Sequence, residues 1–200
     1  MINLSKCNKL LDEGFSVITI GDSKIPNTKW KDQQNKALDK SEFESRYNLP
    51  TTKGVGIVTG YDFLEVVDVD LKVFSTAQEQ KDFWELLLTY LEDSIIDFYD
   101  KFAITKTKNK GFHILYKSKR CKGNQKIATL KDHTEAVIET RGTGGYVFVY
   151  ENFLKGKYYT DIDFITDEDR TILFEVCDSF DYKVAEKIEP PKKEKKIYSE

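Results

Sequence analysis

Three cysteines, two histidines and no apolar run longer than a few residues set the first limits on this 200-residue chain. Cys7, Cys121 and Cys177 lie far apart, form no C-x-x-C pair and leave one odd, so neither a disulfide framework nor a zinc knuckle is expected. Reduced thiols follow. The longest apolar stretches, residues 55–58 and 86–88, fall far short of the roughly 20 residues that cross a bilayer. No membrane partner is expected. The first fourteen residues place acidic side chains where a secretory signal carries its apolar segment, so a cytoplasmic location is expected. With 40% hydrophobic and 32% charged residues, the composition is that of an ordinary soluble domain long enough to bury a core.

A strong overall positive charge is also missing: the formal net charge is −3, which argues against gripping nucleic acid by bulk basicity. The average hides a sorting by segment. Residues 61–100 hold eleven acids and two lysines, whereas residues 101–126 hold nine basic residues and no acid. One stretch is suited to metal and the next to phosphate, unless both are simply solvated faces.

Periodicity orders the chain. Residues 5–13 read as a helix ended by Gly14, followed by a strand over 15–20. Residues 21–50 are polar, with Lys24, Pro26, Lys29 and Trp30 and a short helix over 40–47. Strands over 54–59 and 63–70 flank Gly60-Tyr61-Asp62, which reads as a hairpin turn. A long amphipathic helix over 76–96 carries Phe83, Leu86, Leu87, Tyr90, Leu91 and Ile95 at helical spacing. Strands over 101–105 and 112–117 flank a basic turn, and a lysine-rich loop runs on to about residue 132. Strands over 136–140 and 146–150 flank Arg141-Gly142-Thr143-Gly144-Gly145, and a last helix over 167–180 takes Thr166 as its N-cap. The expected folded unit is 1–185. Residues 186–200, with Pro190-Pro191 among charges, read as a linker or disordered tail. Together these elements predict an α+β fold of mostly antiparallel sheet with helices on one face.

Three of these strands pass from apolar residues to chemistry at one end. In VVDVDLK, Asp68 and Asp70 share a face with Leu64 and Val66, about 7 Å apart along the strand. Paired carboxylates repel unless a cation lies between them, and hard oxygens suit Mg²⁺ or Mn²⁺. Two such ions can activate a 3′-hydroxyl and steady a leaving pyrophosphate. His113 begins a largely apolar strand beside Lys106, Lys108, Lys110 and Gly111, a combination that suits a triphosphate. Glu139 shares a face with Val137 and Arg141 and is a candidate third carboxylate or a simple ion-pair partner.

These residues, in this order, resemble the primase-polymerase family of the archaeo-eukaryotic primase superfamily, found in plasmid and phage replication proteins. Asp68 and Asp70 look like its first motif, Gly111-Phe112-His113 its second and Glu139 its third. Lys24-Ile25-Pro26, Trp30, the stretch 56–60 and the run 141–146 fit its accessory features. The resemblance implies an RRM-like primase core joined to an N-terminal α/β half. It implies template-directed nucleotidyl transfer from dNTPs or NTPs on single-stranded DNA, in a bacterial or archaeal host. Asp68, Asp70 and Glu139 would hold a two-metal Mg²⁺ or Mn²⁺ site, with His113 joining them as a catalytic residue. His113, Arg141, Lys110, Lys108, Gly111 and Lys24 would bind the nucleotide. A helicase domain or subunit would follow C-terminally. Gly111 stands where many relatives have serine, and Tyr150-Glu151-Asn152 replaces a common Pro-Pro-Ser. The alternative is a catalytically inactive primase-like module that binds single-stranded DNA or an origin. A D-x-D glycosyltransferase or nuclease fits less well.

Overall fold

The computed structural model describes residues 2–131 and 134–182; the expected domain end at 185 and the tail beyond it lie outside the described residues. In chain order the elements are α1 (Leu4–Asp12), β1 (Val17–Ile20), α2 (Lys40–Tyr47), β2 (Gly54–Val58) and β3 (Leu64–Val69). Next come α3 (Ala77–Ser94), α4 (Phe98–Lys101), β4 (Ala103–Lys106), β5 (Phe112–Lys117) and β6 (Gln125–Thr129). The chain continues with β7 (Ala136–Arg141), β8 (Tyr146–Phe148) and α5 (Asp167–Asp178).

Two antiparallel sheets result, one of three strands in the order β1-β2-β8 and one of five in the order β4-β5-β3-β7-β6. Helices α3 and α5 cover one face of the larger sheet. On α3, Trp84, Leu87 and Leu91 recur every three or four residues, and a capping box between Thr76 and Glu79 starts the helix. With Leu173 and Cys177 of α5 they bury Val67, Val69, Ile114, Tyr116 and Ile138. Each such side chain contributes about 1.5–3 kcal/mol on burial. Trp84 lies flat on Phe112, ring centroids 3.7 Å apart. Leu86 and Tyr90, expected on the apolar stripe, are each 49% exposed, because the buried line of α3 runs through Trp84 instead.

The opposite face of the larger sheet packs on the smaller one. Leu64 and Val66 of β3, Ala103 of β4 and Leu115 of β5 meet Val55, Ile57 and Val147 in a second core. Asp68, two residues beyond Val66 on the same face, is where β3 emerges from that core.

The structure corrects two readings of the sequence. Strands β2 and β3 form no hairpin: each is already flanked on both edges in its own sheet, so the chain between them crosses from one sheet to the other. It does so through a 3-10 turn at Tyr61–Phe63, with Asp62 (φ 46°) and Phe63 (φ 62°) both left-handed. The lysine-rich loop also contains a strand, β6, in which only Ala128 is fully buried. An edge strand this exposed carries no apolar alternation to read.

A buried ion pair locks α5 to β3. Arg170 donates to both carboxylate oxygens of fully buried Glu65, at 2.7 and 2.9 Å, and Tyr116 hydroxyl donates to the same carboxylate at 2.9 Å. Glu65 and Tyr116 are register partners across β3 and β5.

Candidate active site

One line of side chains crosses the larger sheet. Reading across the strands, Thr105 on β4 faces His113 on β5, His113 faces Asp68 on β3, Asp68 faces Glu139 on β7, and Glu139 faces Lys126 on β6. Directly opposed residues of antiparallel strands share a face with Cβ atoms about 5 Å apart. Register alone therefore brings the histidine and two of the three expected carboxylates together. Asp70 joins them just past the end of β3. Its amide donates to Val137 carbonyl at 2.9 Å, and its carboxylate caps the next turn by accepting from the Lys72 amide at 3.1 Å.

The carboxylates have cationic neighbours from this chain. Arg141 is ion-paired with Glu139, and its Nε lies 3.6 Å from Asp68 Oδ2. Lys72 Nζ sits 3.0 Å from Asp70 and 3.2 Å from Glu135. Burial pushes Asp68 above the usual carboxylate range, opposed by Arg141 and Lys24 and reinforced by Asp70. Burial likewise raises Glu139, with Arg141 opposing and Asp68 and Asp70 adding to the rise. His113 is only 5% exposed, and burial, helped by Lys24 and Arg141, lowers its pKa to about 3. It is a neutral imidazole at physiological pH, so its Nε2, 3.6 Å from Asp68 Oδ1, makes a polar contact rather than an ion pair.

A cleft of about 430 Å³ opens over this line, and its walls include Lys24, Asp68, Asp70, His113, Glu139 and Arg141. Lys24 arrives from the smaller sheet's side. Ser23 (φ 55°) and Lys24 (φ 61°) are consecutive left-handed residues, a strained arrangement of the kind that persists where surrounding structure fixes it. Here the fixing bonds are Tyr146 hydroxyl to Lys24 carbonyl at 3.0 Å and Gly21 amide to Ile25 carbonyl at 2.7 Å. Trp30 packs edge-on against Tyr146. The Lys-x-Pro, tryptophan and Arg-Gly-x-Gly-Gly-Tyr features noted in the sequence are thus parts of one contact.

Lys108, Lys110 and Gly111 lie off the cleft wall, where Thr107 and Asn109 of the same turn stand instead. Lys108 and Lys110 are exposed on the turn between β4 and β5. Gly111 is buried against β3: a Cβ there would fall 2.3 Å from Val69 carbonyl oxygen, so the position has no room for any side chain. The glycines after Arg141 also serve packing. A Cβ on Gly142 would fall 1.8 Å from Lys122 carbonyl oxygen, and Gly142 carbonyl accepts from Thr59 hydroxyl at 2.7 Å.

Several wall residues escaped the sequence reading. Lys72 and Asn124 come from turn and loop segments without periodicity. Tyr150, whose ring lies 5.5 Å from that of His113, belongs to the Tyr-Glu-Asn departure. Ile25, 63% exposed at the cleft, had a signal in being an apolar residue inside a polar loop.

A mixed fold of two antiparallel sheets and five helices, with these acids at the end of the central strand, defines the class as an α+β primase core. The family model for the bifunctional DNA primase/polymerase N-terminal domain matches residues 8–165, and the chain belongs to that family. A comparison with curated proteins gives no match. Among the described residues, no helix is long and apolar enough to cross a membrane.

Proposed function

We propose that this chain catalyses template-directed transfer of nucleotidyl groups from dNTPs or NTPs on single-stranded DNA, in replication of a plasmid, phage or similar element. The observation that carries this reading is the placement of Asp68 between His113 and Glu139 in register, at the floor of a cleft also lined by Lys24 and Arg141.

The donor chemistry fits Mg²⁺ or Mn²⁺. Asp68 and Glu139 offer hard oxygens from adjacent strands, Asp70 adds a third carboxylate to the same cleft, and burial makes ionised Asp68 and Glu139 costly without a neighbouring cation. Among the described residues, no three His, Cys, Asp or Glu side chains are gathered as a metal-binding group, and Arg141 and Lys72 hold these carboxylates instead. Asp68, Asp70 and Glu139 are the residues that would hold metal. Bound there, divalent ions supply activation of the attacking hydroxyl and charge stabilisation of the leaving pyrophosphate.

The remaining roles fall to this chain's own groups. Arg141 and Lys24 are cations on the cleft wall whose chemistry suits phosphate oxygens, and Arg141, released from Glu139, has a planar fork suited to that contact. His113 offers a neutral hydrogen-bond donor in a dry setting, where such bonds are stronger than in water. The test is incorporation of labelled dNTPs and NTPs on single-stranded DNA, with and without primer, in Mg²⁺ or Mn²⁺. The double variant Asp68→Ala/Asp70→Ala should make no product; normal product from it would sink the assignment.

The grip of Arg141 on Glu139 and Asp68 supports a second reading, a catalytically silent module that binds single-stranded DNA through its exposed lysines. Steeply salt-dependent binding without incorporation under either metal would select it.

A further inference from the structure

Two buried polar atoms next to the cleft have no hydrogen-bond partner: Oγ1 of Thr105 and Nδ1 of His113. They are not scattered. Thr105 and His113 are register partners on β4 and β5, so their side chains stand side by side on one face. Thr105 is fully buried and His113 nearly so, and residues 152–154 pair along the outer edge of β4. Lys106 amide donates to Asn152 carbonyl at 2.9 Å, and Leu154 amide donates to Ile104 carbonyl at 2.8 Å. Leaving both atoms unsatisfied in such a place would be costly, and register sets the two residues opposite each other.

We propose that Thr105 is a positioning residue for His113, its hydroxyl hydrogen-bonding Nδ1 directly or across one buried water. The direction of the bond follows from the other nitrogen. Nε2 faces the Asp68 carboxylate oxygen at 3.6 Å, and a carboxylate only accepts, so the ring proton belongs on Nε2. Nδ1 is then the acceptor, and its donor is the Thr105 hydroxyl or the water that hydroxyl holds. A threonine hydroxyl can fill that role, whereas a valine of the same shape cannot. Thr105 thereby fixes both the tautomer and the plane of the imidazole, and presents a single N–H towards the cleft. Its consequence for catalysis rests on the nucleotide-binding reading, under which that N–H is offered to an anionic oxygen of the triphosphate.

The chain has only two histidines, so ¹⁵N-histidine labelling of a His133→Gln background leaves one ring to observe. In that background His113 should show one fixed tautomer with the proton on Nε2. Thr105→Val should shift both ring nitrogens towards the averaged values of an imidazole exchanging its proton, and Thr105→Ser should restore the original pattern. Under the nucleotide reading, Thr105→Val should also weaken dNTP binding about tenfold, the loss of roughly one well-placed hydrogen bond, and serine should recover most of it. Ring shifts unchanged in a folded Thr105→Val protein would overturn the proposal. Ring shifts that respond, in a protein that binds no dNTP even with Thr105 present, would uphold the positioning role and remove the nucleotide reading alone.

Discussion

The hydroxyl of Tyr146 donates to the carbonyl of Lys24 at 3.0 Å, across 122 residues of chain. That bond ties the start of β8 to the strained loop that brings Lys24 to the cleft. Replacing Tyr146 with phenylalanine removes only the hydroxyl and should cost about 0.5–1.5 kcal/mol. The loop should loosen while the carboxylates stay in place. Steady-state incorporation kinetics should show KM for the nucleotide rising several-fold with kcat nearly unchanged.

Glu65 and Arg170 form a fully desolvated pair, and removing one partner strands the other in the core. Arg170→Met should destabilise the fold by about 3–5 kcal/mol in urea unfolding. The double variant Glu65→Leu/Arg170→Met should recover much of that loss, though Tyr116 would lose its acceptor.

Asp68 is a carboxylate whose burial raises its pKa above the unfolded value, so ionising it costs more in the folded protein than in the unfolded chain. Its stabilising contribution is complete below the unfolded pKa and is lost as pH rises through the folded one. At neutral pH, Asp68→Asn should therefore be more stable than the natural protein by about 0.5–2 kcal/mol while losing incorporation. Thermal melts against pH check the sign: the advantage should shrink as the medium is acidified. Mn²⁺ should raise the melting temperature of the natural protein more than that of the variant.

Burial raises the thiol of Cys7 to about 11 and that of Cys177 to about 12, leaving almost no thiolate at neutral pH. Cys121 is also raised by burial but is partly exposed. Iodoacetamide followed by mass spectrometry should modify Cys121 first and reach Cys7 and Cys177 only once denaturant is added.

Much of the site was legible because strand alternation is a strong constraint. Leu64, Val66 and Asp68 had to share a face, and an apolar row that turns acidic must leave the core at that point. His113 and Glu139 obeyed the same rule on their own strands. The lysines were not legible in that way: charge identifies Lys108 and Lys110 as exposed but says nothing of which side of a turn they occupy. Gly111 is glycine because Val69 carbonyl takes the space of a side chain, a contact between strands that local pattern does not reveal. The separation of β2 from β3 was also hidden, since two short β-rich runs around a glycine look alike whether they pair or part. Glu65 did leave a mark, as a lone acid between Leu64 and Val66. Its partner, 105 residues away, could not be named from local pattern.

The cross-sheet line makes strand register a single point of failure. A one-residue slip of β3 against β5 and β7 would set Val67 or Val69 where Asp68 stands and turn the carboxylate into the apolar layer under α3 and α5. No loop adjustment elsewhere could restore the site, because its members belong to separate strands whose relative placement the hydrogen-bond ladder sets. A single-residue insertion or deletion within β3 should therefore erase the core and the chemistry in one step, while length changes in the exposed turn between β4 and β5 are far better tolerated.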